Sequence, residues 1–211
     1  MKKIFVLFSV IFSHLLFSQI SDKIRDKVEI IDEKYFKIIL SDSYPINEYA
    51  ELSKLYGELS KNVTSDELYY LSLMGNDFIK RNAVFDLLLK KDSRIVKLYK
   101  HYSQFPVKYR DKIGHVVTDQ DMALSNIRGY IVSRITQYQN FIFFKGKLKN
   151  ELSDHYSEEE INYYNNLDIK HYQNLISEFD KIDKLFIPDR LEICNEIGKF
   201  WKDEKLKMPT P

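Results

Sequence analysis

The chain has 211 residues, 30% of them charged and 44% hydrophobic, with a formal net charge of +1. That length fits one domain with a sizeable core, and a net charge near zero excludes a whole-protein attraction to nucleic acid or membrane. Cys194 is the single cysteine, which excludes an intrachain disulfide and leaves stability to packing.

The chain opens with "MKKIFVLFSVIFSHLLFSQ", in which Lys2 and Lys3 precede an apolar run from Ile4 to Phe17 and then the small Ser18. A basic head, a short apolar stretch and a small residue at the break predict a cleavable signal peptide over residues 1–18. The run is shorter than the roughly 20 residues of a spanning helix, and His14 interrupts it, so no transmembrane segment is expected in the mature chain. Loss of the two lysines takes the formal charge from +1 to −1. A secreted or periplasmic location follows as an expectation, with residues 19–211 forming one α-helical domain.

Ile24, Val28, Ile31, Tyr35 and Ile38 step at helical spacing and predict a helix over about 22–40. Pro45 suits the first turn of a second helix, which carries Tyr49, Leu52, Tyr56 and Leu59. Thr64 and Glu67 form a capping box that opens a third. Gly75 is expected to end it in a left-handed cap.

In the next helix Ile79, Lys80, Ala83 and Leu87 follow the pattern of the second helix of a HEAT-type repeat. Small Ala83 admits a close partner helix between two larger side chains on the same face. Phe78, Phe85, Leu88 and Leu89 point to burial on several sides. Asp92 and Ser93 mark the turn into a further helix with Ile95, Leu98 and Tyr102 as its stripe.

Residues 64–135 thus resemble a class of uncharacterised secreted bacterial proteins with HEAT-like helices, few cysteines and an unusual loop after the second unit. Ile131 stands where a second copy of the pattern requires Ala. The resemblance implies an all-α, irregular HEAT-like α-α array of antiparallel helices, and it carries no activity to transfer.

Residues 104–118, "QFPVKYRDKIGHVVT", hold Pro106 and Gly114 without a helical period and read as a long loop. A helix is expected over 119–150, although its β-branched and aromatic residues also suit a strand. Ser157 and Glu160 form a second capping box and begin a long helix over about 158–184 with the stripe Ile161, Tyr164, Tyr172, Ile176, Phe179 and Ile182. Pro188 opens a last helix, in which Leu191, Cys194, Ile197 and Trp201 share one face.

Chemistry-bearing motifs are scarce. The histidines make no H-E-x-x-H, and no nucleophile elbow, P-loop or dinucleotide fingerprint occurs. No metal or other cofactor is expected. Tyr109 and His115 are the candidate site of the 104–118 loop, and a catalytic or metal-dependent use of that loop is the alternative to a binding role.

Charge is segregated along the chain. Residues 80–112 hold ten bases against three acids, and residues 151–180 hold eight acids against one base. Solvated or mutually facing surfaces account for this without function. The functional account makes Lys97, Lys100, Lys108, Arg110 and Lys112 a surface for an acidic protein or an anionic glycan, with no nucleic acid expected. Tyr99, Tyr102 and Tyr109 lie beside these bases and suit either stacking on a flat ligand or a core edge, and helical spacing favours the core for Tyr99 and Tyr102.

Overall fold

The computed structural model describes residues 20–40, 46–113 and 116–192, together with 195 and 199. The expected signal peptide, Pro45, Gly114, His115, Cys194 and Trp201 lie outside the described residues. Among the described residues the protein is all-α apart from one short hairpin. It gathers into two compact units: residues up to Ile95 with Tyr109–Gln120, and Val96–Lys108 with the chain from Asp121 onward.

The first unit begins with α1 (Asp22–Leu40), on its expected bounds, and α2 (Ile46–Ser60), which carries the expected Tyr49, Leu52, Tyr56 and Leu59. Ile24, Ile31, Tyr35 and Ile38 form the buried stripe of α1, facing a stripe of Leu52, Tyr56 and Leu59 on α2. Lys27 donates to the Glu58 carbonyl at 3.2 Å, and Lys34 pairs with Glu51. That crossed order of partners is the signature of an antiparallel hairpin.

α3 (Ser65–Met74) and α4 (Asp77–Leu89) form a second hairpin with a very short corner. Thr64 caps α3 through the expected reciprocal box with Glu67. Glu67 also accepts from the Ser21 amide at 3.0 Å, which ties the start of α1 to the start of α3.

Gly75 is not left-handed: its φ of −66° and ψ of 170° are extended. Glycine is required there for space, because a Cβ would lie 2.6 Å from Ile79 Cγ2 and 2.8 Å from the Leu71 carbonyl oxygen. The corner is closed further by Asn76, whose side chain accepts from the Ile79 amide at 2.8 Å and donates to Asp32 of α1.

Ile79, Ala83 and Leu87 are wholly buried on α4, together with Phe78 and Leu88. Phe85 and Leu89 are exposed at 37% and 54%, so α4 is buried on fewer sides than its composition suggested. Tyr56 and Ser60 of α2 donate to Asp86 of α4 at 3.0 and 2.6 Å.

Residues 104–118 are not a long loop. β1 (Lys108–Ile113) and β2 (Val116–Asp121) pair as a two-stranded hairpin. In the sequence a two-residue interval that begins with Gly, between two short runs, is a hairpin signal that helical periodicity does not register.

In the second unit, α5 (Ile95–Gln104) runs with its buried side made by Leu98, Tyr99, Tyr102 and Ser103. Asp121 caps a π-helical segment, Met122–Arg128, through the Leu124 amide at 2.6 Å. This passes into α6 (Gly129–Leu148), which resolves the helix-or-strand ambiguity as helix.

The expected single helix over 158–184 is two helices, α7 (Glu158–Asn165) and α8 (Ile169–Phe186). Asn166 turns its side chain back to the Asn162 carbonyl at 2.8 Å, and Asp168 caps α8 at the His171 amide. Short polar side chains that satisfy nearby backbone groups compete with helix continuation, and here they prevail. The Ser157–Glu160 box opens α7 as expected. Tyr172, Leu175, Phe179 and Ile182 form the buried face of α8, which packs on α6.

Candidate functional site

The densest polar constellation lies inside the second unit. Asp183 projects from the apolar face of α8 and is wholly buried. The Tyr99 phenol donates to its carboxylate, and its ring stacks on Phe179 with centroids 3.9 Å apart. Arg128, on the π-helical segment, donates to Asp183 at 3.2 Å and to Asp180 at 2.6 Å.

Arg190 completes the group from the helical backbone after Pro188. Its guanidinium donates to Ser103 Oγ at 3.0 Å, lies 3.6 Å from Asp183 and reaches Asp121 at 3.4 Å.

Burial pushes the Asp183 carboxyl above the ordinary carboxylate range, against the opposing pull of Tyr99, Arg128 and Arg190. The Tyr99 phenol is also raised, first by burial and then by the hydrogen bond and negative charge of Asp183. Perturbed groups of this kind accompany active sites, but they also accompany structural ion-pair networks. Here donors and acceptors are aimed at one another, and Asp183, Arg128, Arg190 and Ser103 are all buried. The arrangement joins α5, the π-helical segment, α8 and the chain after Pro188, and it is suited to fixing their register.

Sequence reasoning missed this cluster, although a signal was present. Asp183 adjoins Ile182 on the stripe that includes Phe179, and Arg128 adjoins Ile127 on the stripe that includes Ile131. A charge at a stripe position calls for a buried partner of opposite sign.

The expected basic surface is placed only in part. Lys97 and Lys100 sit three residues apart on the exposed side of α5, and Lys108 is exposed at the start of β1. Lys100 Nζ lies 5.5 Å from the centroid of the Phe186 ring. Lys97, Lys100 and Lys108 belong to the second unit, whereas Arg110 and Lys112 belong by their backbone to the first. The side chains of Arg110 and Lys112 lie outside the described residues, as does His115.

Of the two readings of the tyrosines beside these bases, the structure supports the core edge. Tyr99, Tyr102 and Tyr109 are all buried, and Arg81 lies over the Tyr109 ring at 5.5 Å from its centroid. Tyr109 fills a hairpin face instead of presenting a flat surface to a ligand. Arg94, another base of the positive stretch, is held by Asp92 and Asp66 at 2.6 and 2.5 Å.

Among the described residues no group of three or more His, Cys, Asp or Glu side chains is disposed to hold a metal ion. No described helix is long and apolar enough to cross a membrane. In comparisons with known proteins, no protein family matches the chain, and neither curated proteins nor solved structures yield a match.

Proposed function

We propose that this is a secreted or periplasmic, non-catalytic helical binding protein that engages an acidic protein or an anionic glycan through a basic surface containing Lys97, Lys100 and Lys108. The observation that carries the reading is α5 itself. Its inner side is committed to Leu98, Tyr99 and Tyr102, while Lys97 and Lys100 stand outward on one face. A helix anchored this way holds two positive charges at fixed spacing, which favours capture of a multiply charged partner over a single ion. The HEAT-like pattern of α4 supports a scaffold in the same sense.

The mature protein is expected to be retained on immobilised heparin and on poly-glutamate, and to be released as salt rises. Replacing Lys97, Lys100 and Lys108 by Glu is expected to abolish retention with the circular dichroism spectrum unchanged. Retention of the variant equal to that of the native chain refutes the surface. N-terminal sequencing of protein recovered from the cell envelope is expected to begin at Gln19, and an intact Met1 refutes the location.

A further inference from the structure

The C-terminal end of α6 carries a feature that a scaffold core does not need. Residues 142–147, "IFFKGK", are six consecutive exposed positions. At about 100° per residue six positions pass every direction around a helix, so exposure here is not confined to one face, although Phe144 lies beside the rings of His155 and Tyr156, each with centroids 6.4 Å away. Ile142, Phe143 and Phe144 remain 46%, 54% and 39% exposed. A Cβ built on Gly146 meets nothing within 4 Å, which agrees with open surroundings.

Basic groups are attached to the same tip. Lys147 Nζ lies 4.5 Å from the Phe143 centroid, and Lys145 Nζ lies 5.7 Å from that of Phe141. Lys145 also donates to Asn165 Oδ1 at 2.6 Å, and both lysines remain exposed, so apolar rings and lysine stems share this end of the helix.

We propose that this tip docks on an anionic lipid surface, with Ile142, Phe143 and Phe144 entering the boundary between headgroups and acyl chains and Lys145 and Lys147 meeting lipid phosphates. A physical argument selects a bilayer over a folded partner. The exposed parts of the three apolar side chains amount to only about 250–300 Å², well below the roughly 800 Å² per partner of a stable protein interface. The lysines add charge complementarity, since each base near an anionic leaflet strengthens attachment. These residues are not those of the Lys97, Lys100 and Lys108 surface, and the inference does not depend on the binding role given to them.

The test is sedimentation of the full mature chain with vesicles of phosphatidylcholine alone and of phosphatidylcholine containing phosphatidylglycerol. The native chain is expected to sediment with the anionic vesicles and not with the neutral ones. Ile142→Ser with Phe143→Ser, and separately Lys145→Gln with Lys147→Gln, are each expected to weaken that binding on the order of tenfold or more. All four side chains are exposed, and an unchanged thermal midpoint shows that the fold survives.

No binding to anionic vesicles, equal binding to neutral ones, or full binding by either variant overturns the proposal. So does a native dimer that the Ile142/Phe143 variant converts to monomer, because the tip is then covered by a second copy of the chain.

Discussion

The Tyr99 hydroxyl lies 3.0 Å from Asp183 Oδ1 and 2.8 Å from Oδ2, so one phenol spans both oxygens of a wholly buried carboxylate. A buried charge is tolerated only where its neighbours replace water, and Tyr99 supplies part of that replacement while Arg128 and Arg190 supply the rest. Tyr99→Phe keeps the ring on Phe179 and removes only the donor. The expected cost is about 1.5–3 kcal/mol, read as a lower urea midpoint.

Arg128→Met is expected to cost more, about 3–5 kcal/mol at neutral pH, because it leaves Asp183 buried with less compensation. The loss depends on pH in a defined direction. Asp183 already titrates above the ordinary range, and removing Arg128 raises it further. A group raised in the folded state contributes fully below its unfolded value and loses that contribution as pH rises through the folded value. The deficit of Arg128→Met against the native chain should therefore shrink in acid, as Asp183 takes a proton and ceases to need the guanidinium. Urea unfolding of both chains at neutral and acidic pH checks this, and a deficit that grows in acid contradicts it.

Glu67 shows the opposite sign. Burial tends to raise its carboxyl, but hydrogen bonds from Ser21 and Thr64 together bring it below its ordinary value. Its contribution is present above the unfolded value and is lost as pH falls through the folded one. Glu67→Gln is expected to lower stability by about 1 kcal/mol at neutral pH. The gap should close in acid, when the native side chain is itself protonated. Thermal melts of both chains across that range measure it.

Two glycines should respond in opposite directions to alanine. Gly75→Ala forces a Cβ against the Leu71 carbonyl oxygen and Ile79, atoms that the α3–α4 corner holds in place, and should destabilise by about 1–3 kcal/mol. Gly57 lies inside α2, where a Cβ meets nothing within 4 Å. Gly57→Ala should stabilise by about 0.5–1 kcal/mol through the reduced freedom of the unfolded chain. Calorimetric midpoints of the two variants give the signs directly.

Asn76→Ala removes both the cap of α4 and the donor to Asp32. Loss of a cap costs about 0.5–2 kcal/mol, and the orphaned Asp32 places this variant toward the upper end. Burial holds the Asp32 carboxyl up, and the Asn76 hydrogen bond opposes that rise. An NMR titration of the variant should find Asp32 titrating at higher pH than in the native chain.

Helices whose apolar residues repeat on one face were legible without coordinates. The stripe of α1 and the two capping boxes needed only spacing and local hydrogen-bonding chemistry, because each depends on residues within a turn of one another. The charge segregation was equally plain, as was the scarcity of catalytic motifs. The sequence alone thus determined an all-α protein whose helices are held by packing without an intrachain disulfide.

Other features depended on residues far apart in the chain. Nothing local to Asp183 announces Tyr99, 84 positions earlier, and nothing near Gly75 shows that Ile79 and the Leu71 carbonyl crowd it. The break of α7 from α8 turned on side chains competing with the helical backbone, a contest that periodicity does not weigh. Tyr109 faced inward because the hairpin's register placed it there. Tertiary structure decided these points because burial and pairing belong to surfaces that exist only after distant segments meet.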